Sequence, residues 1–164
     1  MPLHIIENDI VCMATDAIVN AANRALRPGS GVCGAIFRAA GYDELARACR
    51  EIGHCEVGEA VITPGFRLSA RYIIHAVGPI WQGGCQNEAQ LLRSSYVRSL
   101  ELAVSNGCKS IAFPLISSGV YGYPREDALD IAVKAIREFL EEHELTVYLV
   151  LYKGRAAVAD RSNV

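Results

Sequence analysis

The sequence has no long apolar run and no excess of charge of either sign. No stretch reaches the roughly 18 apolar residues that a membrane-spanning helix needs. Sixteen basic and eighteen acidic residues leave a net charge of -2. That balance predicts neither non-specific nucleic-acid binding nor attraction to a membrane surface. The first residues, Met1-Pro2-Leu3-His4, lack the basic and apolar pattern of a secretory signal, so a cytoplasmic location is expected.

The six cysteines form no C-x-x-C pair. They are Cys12, Cys33, Cys49, Cys55, Cys85 and Cys108. Scattered cysteines without an export signal are typical of free thiols in a reducing compartment. His54 and Cys55 are adjacent, but nothing near them has the spacing of zinc ligands. No metal or other cofactor is therefore expected.

Length and periodicity predict one α/β domain over residues 1–164. Half of the residues (51%) are apolar, which is the ordinary globular level. Apolar runs predict strands over 3–6, 17–21, 58–64, 71–77, 110–115 and 146–152. Helical spacing predicts helices over 32–40, 43–52 and 87–106, another from Pro124, and a short or frayed helix from Arg155. Strands that alternate with helices favour a three-layer α/β/α sandwich.

A glycine-rich loop joins the second predicted strand to the first predicted helix. It runs through Gly29-Ser30-Gly31-Val32-Cys33-Gly34. Glycines let successive backbone N–H groups converge, and a helix start adds unpaired N–H groups, so the pattern favours an anion site. An ordinary glycine-rich turn is the alternative. Three arginines and no acid occur over residues 20–41, which supports the anion site, although each arginine alone is expected to face solvent.

A second loop, Ser117-Ser118-Gly119-Val120-Tyr121-Gly122, joins another strand to the helix near Pro124. In open α/β sheets, ligands bind at the carboxyl ends of the strands. Two loops at that end would hold a diphosphate from both sides. Neither is a P-loop, because no Gly-Lys-Ser/Thr follows. The spacing of Gly29, Gly31 and Gly34 also lacks the acid at a strand end that dinucleotide-binding folds use.

These segments, in this order, resemble the macrodomain family over nearly the whole chain. The resemblance rests on Asp9-Ile10, on Ala17-Ile18-Val19-Asn20-Ala21-Ala22-Asn23, on Gly31-Val32, on His75-Ala76-Val77-Gly78-Pro79, and on Pro114 through Gly122. It implies a mixed sheet between helices and ADP-ribose bound across the strand ends, as in domains of the Appr-1″-p processing type. The implied partner is ADP-ribose or a mono-ADP-ribosylated protein, and a monomer is expected.

The resemblance implies a role for each matching residue. Asp9 and the N–H of Ile10 would contact adenine, Asn23 would hold the distal ribose beside Tyr121, and Tyr152 would lie near adenine. The implied ADP-ribose contacts are Asp9, Ile10, Ala21, Asn23, Gly31, Val32, Cys33, Gly34, Ser117, Ser118, Gly119, Val120, Tyr121, Gly122 and Tyr152, with Asn23, Tyr121 and Gly31 as the catalytic set. The alternatives are a cap or turn role for Asp9 and core packing for Tyr152. His75 is interpreted as a hydrogen-bonded core histidine.

The implied activity depends on the first loop. Hydrolases of the MacroD type carry Asp after the Gly-Val pair, where this chain has Cys33, as some viral macrodomains regarded as hydrolases do. We predict removal of mono-ADP-ribosyl groups from acidic protein side chains, with the water held by the bound diphosphate. A non-catalytic reader and an O-acetyl-ADP-ribose deacetylase are the alternatives. Cys33 as a covalent nucleophile would need a base that neither loop supplies, so packing beneath the loop is the simpler interpretation.

Overall fold

Six strands form one mixed sheet in the order β1-β6-β5-β2-β4-β3. The computed structural model describes residues 2–152. The strands are β1 Leu3–Glu7, β2 Ala17–Ala21, β3 Ala60–Pro64, β4 Tyr72–Ala76, β5 Ser110–Phe113 and β6 Thr146–Leu151. Neighbouring strands are parallel except β3 and β4, which are antiparallel. The mixed sheet implied by the family resemblance is therefore confirmed.

Two pairs of helices cover the two faces of this sheet. Helices α1 Gly31–Ala40 and α2 Tyr42–Ile52 pack on one face, and α3 Glu88–Ser105 and α4 Arg125–Leu140 pack on the other. Side chains alternate along β2 because successive strand residues point to opposite faces. Ala17 and Val19 join the core under α3 and α4, whereas Ile18 joins the core under α1 and α2. The predicted three-layer sandwich is confirmed.

Two strand boundaries and one short helix differ from the prediction for local reasons. β3 begins at Ala60 because Gly58, with φ +88°, turns the chain before it. β5 ends at Phe113 because Pro114 has no N–H to continue the ladder. A short 3₁₀ helix, Ile10–Cys12, was not predicted, since three residues show no apolar period. The helix expected from Arg155 lies outside the described residues.

The topology brings the ends of five strands to one edge. β1, β6, β5, β2 and β4 run in the same direction, so the loops that follow them meet there. β2 leads into α1 on one face, whereas its neighbour β5 leads into α4 on the other face. Connections that diverge from adjacent strands leave a crevice between them, which is where open α/β sheets bind ligands.

Within residues 2–152, no helix is long and apolar enough to cross a membrane. All six cysteines are free thiols, as the sequence predicts. The described part of the chain also contains no group of three His, Cys, Asp or Glu side chains arranged to hold a metal ion.

Candidate functional site

A groove crosses the carboxyl edge of the sheet at this crevice. Its larger cavity, with about 1100 Å³ of empty space including the open mouth, lies between the loops that follow β2 and β5. A second cavity, with about 710 Å³ of such space, continues towards the end of β1. The two cavities share part of their lining, namely Gly31, Val32, Pro114, Val150 and Tyr152. The groove is therefore continuous from the β2–β5 crevice to the β1 edge.

The first wall of the groove is the start of α1. Gly31 has φ +59°, a conformation that favours glycine. Within the described chain, the N–H groups of Gly31, Val32 and Cys33 donate to no acceptor, and the Ser30 side chain does not cap them. No acidic residue lies in the first helical turn. Unpaired N–H groups at a helix N-terminus attract anions, because they point outward and the helix dipole is positive there.

Gly34 lies behind this wall instead of on it. The residue is buried and does not line either cavity. A Cβ at this position would stand 2.5 Å from the carbonyl oxygen of Gly29. The absence of a Cβ at Gly34 therefore lets the first loop lie directly on α1. Packing between the loop and the helix thus explains the glycine to which the resemblance assigned a phosphate contact.

The opposite wall is the loop between β5 and α4. Gly119, Val120 and Tyr121 line the larger cavity, and within residues 2–152 their N–H groups make no hydrogen bond. Val120 is 83% exposed at the tip of the loop. Gly122 lies outside the lining, where φ +76° lets its N–H return to the carbonyl of Gly119. Two rows of unpaired amides thus face one cavity, which suits a ligand with two adjacent anionic groups.

Ser117 begins this loop in a strained conformation. Its φ is +69°, which a non-glycine residue rarely adopts. Its hydroxyl oxygen is buried and makes no hydrogen bond within the described residues. Strain and unpaired polar groups of this kind concentrate at functional sites.

Asn23 lines the larger cavity, but its side chain also holds the first loop. Its Nδ2 donates to the carbonyl of Arg27 at 2.9 Å, and its Oδ1 accepts from the Arg27 N–H at 2.9 Å. The sequence prediction assigned Asn23 to the distal ribose only. The structure adds a second role, because these two hydrogen bonds close the turn between Asn23 and Arg27. The separation of four residues keeps the side chain within reach of the Arg27 backbone.

The second cavity contains the residues implied for adenine. Asp9, Ile10 and Tyr152 line it together with Arg38. Asp9 also caps the 3₁₀ helix, because its Oδ1 accepts from the Val11 N–H at 3.2 Å. Asp9 therefore caps the 3₁₀ helix, as the alternative interpretation predicted, and it also lines the groove. Tyr152 is 45% exposed, so the core-packing alternative is wrong.

The Cys33 thiol is buried beneath the first loop. Its Sγ lies 3.7 Å from the carbonyl oxygen of Arg27. Burial raises the pKa of this thiol, and hydrogen bonds with the Asn20 side chain and the Gly29 backbone offset only part of that effect. A raised pKa disfavours the thiolate that a covalent nucleophile requires. The packing interpretation of Cys33 agrees with this geometry.

Arg125 is a groove residue that the sequence prediction missed. It lines the larger cavity from the first turn of α4. A cation is unfavourable at that position, because the helix dipole is positive there. That mismatch is a signal that sequence reasoning can use. The apolar floor was also missed: Ala22, Pro114, Leu115, Ile116, Val150 and Leu151.

Comparison with known proteins decides the family. The model of the Macro domain family matches residues 19–132, well over half of the chain. The chain belongs to the macro domain family. A relative from Citrobacter rodentium named O-acetyl-ADP-ribose deacetylase is 54% identical over 156 residues, which cover 92% of this chain and 88% of that protein.

Solved macrodomain structures have the same fold. A mutant of the Oceanobacillus iheyensis macrodomain, solved with ADPR, is 42% identical with a TM-score of 0.89 and covers 98% of this chain and 90% of that one. The Trypanosoma brucei macrodomain in complex with ADP-ribose is 36% identical with a TM-score of 0.87 and covers 98% and 68%. The resemblance to macrodomains seen in the sequence is thereby confirmed.

Proposed function

We propose that this macrodomain binds ADP-ribose along the groove and hydrolyses an ester on the distal ribose. The observation that carries the binding proposal is the pair of unpaired amide rows, Gly31–Cys33 and Gly119–Tyr121, on opposite walls of one cavity. A diphosphate has the charge and the length to accept from both rows. The solved macrodomains named with ADPR and ADP-ribose support the same ligand.

The lining gives the ligand a direction. Among residues 2–152, Asp9 is the only acid that lines either cavity, and its carboxylate suits the amino group of adenine, with the half-exposed Tyr152 ring beside it. The opposite end contains Asn23 and Tyr121, whose polar side chains suit ribose hydroxyls. The reacting ester then lies in the larger cavity, beside the β2–β5 crevice.

Among the described residues, the larger cavity has no side chain suited to act as a general base. Its lining within residues 2–152 includes neither an acid nor a histidine, and the pKa of the Cys33 thiol is raised by burial. The bound diphosphate is then the nearest anion that holds and orients the water. Positioning of this kind accelerates reactions strongly, because the water and the ester are held together. Water adds to the ester, and free ADP-ribose and a carboxylic acid leave.

Two esters fit this description. The first is O-acetyl-ADP-ribose, which is favoured because relatives with 50 and 54% identity are named O-acetyl-ADP-ribose deacetylase. The second is an ADP-ribosyl ester of an acidic protein side chain, which the open mouth at the exposed Val120 would admit. A reader without turnover is the non-enzymatic alternative. The cytoplasmic location, the monomeric state and the single-domain extent stay predictions.

The test supplies both esters to purified protein and follows the release of free ADP-ribose. Asn23→Ala is compared with Asn106→Ala, because the Asn106 amide likewise donates to a carbonyl four residues away, at 2.9 Å, but lines neither cavity. Calorimetry with ADP-ribose runs alongside. The enzyme proposal expects multiple turnover that Asn23→Ala reduces by more than about tenfold, with a smaller effect on affinity.

The outcomes separate the alternatives. Release from only one ester identifies the substrate class. Binding without release from either ester establishes a reader and overturns the enzyme proposal. Absence of binding by the wild-type chain overturns the ligand assignment itself. An increased rate in Cys33→Asp would show that a carboxylate at this position acts as a general base on the water that the diphosphate holds.

A further inference from the structure

A row of buried polar side chains runs beneath the first loop, within the core that α1 and α2 cover. Asn20 on β2 and His75 on β4 are direct cross-strand partners, and each is 1% exposed. Asn20 Nδ2 lies 3.0 Å from His75 Nδ1, and His75 Nε2 lies 3.0 Å from the Thr63 hydroxyl on β3. Three neighbouring strands thus contribute one connected row.

The geometry gives this row a direction. With the Asn20 amide oriented so that Nδ2 is the donor, Nδ1 of His75 accepts and the ring proton resides on Nε2. Nε2–H then donates to the Thr63 hydroxyl, which donates to the carbonyl of Pro64 at 3.2 Å. Burial lowers the pKa of His75 to about 4, so the ring is neutral at pH 7. The Cys49 thiol, 4.0 Å from Nε2, is a second and longer contact of the same nitrogen.

The other end of the row reaches the groove wall. The Asn20 side chain is close enough to the Cys33 thiol to lower its pKa, and the thiol sulfur lies 3.7 Å from the Arg27 carbonyl oxygen. A Cβ at Gly29 would stand 3.6 Å from the same sulfur, so that part of the loop rests on it as well. Cys33 is therefore the contact between the buried row and the loop that precedes α1.

Such a row is costly in a core. Burying polar groups without complete hydrogen bonding is unfavourable, and Asn20 Oδ1 remains unpaired within the described residues. Apolar side chains would fill the same positions without that cost, as Ile18 and Ile73 do two residues earlier on the same strands and in the same core. What the polar row adds is a fixed orientation of the Asn20 amide under Cys33.

We propose that Asn20, His75 and Thr63 are positioning residues that set the height and orientation of the first anion-binding loop through Cys33. The proposal rests on the proposed ADP-ribose site for its functional readout. Thr63 is the informative residue, because it is the far end of the row and touches neither the loop nor the groove. Thr63→Val keeps the shape and removes the acceptor of Nε2–H.

The matched control is Thr15→Val. Thr15 is another buried threonine whose hydroxyl hydrogen-bonds a carbonyl, that of Ala17 at 2.8 Å, outside the row. We expect Thr63→Val to weaken ADP-ribose binding by about fivefold or more, and Thr15→Val to change it by less than about twofold, at comparable loss of stability. Thr63→Ser keeps the hydroxyl and should restore the affinity.

Two measurements need no ligand. Histidine ¹⁵N spectra at pH 7 should show the Nε2–H tautomer for His75. Amide hydrogen exchange at Arg27 and Gly34, whose N–H groups are hydrogen-bonded within the first loop, should be faster in Thr63→Val than in Thr15→Val. Equal exchange in the two variants, or an Nδ1–H tautomer, overturns the positioning proposal even if ADP-ribose binds. Failure of the wild-type chain to bind ADP-ribose overturns the proposed function, and the exchange comparison then still decides the role of the row.

Discussion

Gly78, two residues after the end of β4, lies directly against Ser117, at the start of the second loop: a Cβ on Gly78 would stand 2.2 Å from the Ser117 hydroxyl oxygen and 2.5 Å from Cγ2 of Ile116. Real Cβ atoms do not approach neighbours so closely. The absence of a side chain at residue 78 therefore lets the second loop close over the end of β4. Both residues line the larger cavity.

Gly78→Ala should displace the second loop. Overpacking at a buried contact typically destabilises by about 1–3 kcal/mol, and the displaced amides should also weaken ADP-ribose binding. Urea unfolding and calorimetry measure the two effects. Gly107→Ala is the control, because φ +76° strains an alanine there while nothing lies within 4 Å of the new Cβ. Unchanged affinity in Gly78→Ala at full stability would contradict the tight approach.

Asp9 combines a cap with a groove position, and two substitutions separate them. Asp9→Asn keeps an oxygen for the Val11 N–H but removes the charge, whereas Asp9→Ala removes both. We expect Asp9→Asn to keep its stability and lose ADP-ribose affinity. Asp9→Ala should lose affinity and also about 1 kcal/mol of stability. Equal affinity of Asp9→Asn and wild type would show that the carboxylate does not recognise adenine.

The Glu88 carboxylate holds the loop that precedes α3. It accepts from the N–H groups of Gln82, Gly84 and Gln86 at 2.8, 3.2 and 2.7 Å. Burial raises the pKa of this carboxyl, but the backbone hydrogen bonds lower it more, so the pKa lies below its ordinary value. The stabilisation is therefore present above the ordinary pKa range of Glu and disappears as the pH falls through the lowered value.

Glu88→Gln should reduce the urea midpoint at pH 7 and converge with wild type in strong acid. Glu101→Gln is the control on the same helix, since Glu101 is exposed and pairs with Arg98 at 2.9 Å. The same loop also supports the groove, because the Trp81 N–H donates to the Tyr121 carbonyl at 2.8 Å. A pH-independent difference between Glu88→Gln and wild type would contradict the ionised role.

The buried His75 leads to a second prediction, a loss of folding stability in a different pH range. Its pKa is about 4 in the folded chain, against 6.5 for a solvent-exposed histidine, so the unfolded chain takes up the proton first as the pH falls. Stability should decrease between about pH 6.5 and 4, by about 3 kcal/mol for this residue. His75→Gln should flatten that part of the curve in urea unfolding. An equal slope for both proteins would show that His75 titrates normally.

Sequence reasoning predicted the regular elements because their signals are local. The apolar period of α4 appears in the residues that the structure buries, Ala128, Ala132, Ala135 and Ile136. The ends of β3 and β5 were misplaced because they depend on where Gly58 turns the chain and where Pro114 leaves the ladder. The 3₁₀ helix after Asp9 carries no period at all.

In the candidate site, too, the sequence predicted local features and missed those that depend on distant residues. The order of the motifs located both anion loops, because each loop is contiguous in sequence. The Asn23–Arg27 contact and the row through His75 depend on side-chain orientation, and the row joins residues that lie 12 and 55 positions apart. No local pattern records such distances. Arg125 was overlooked because a single arginine at a helix start resembles an ordinary surface residue.

The divergence of the chain at β2 and β5 has a thermodynamic consequence. One amide row belongs to the helix layer on one face and the other to the layer on the opposite face, and about 90 residues separate them in sequence. A ligand that accepts from both rows binds only when both layers are docked on the sheet. Its binding energy therefore opposes dissociation of either layer, and a saturating ligand raises the melting temperature of the whole domain.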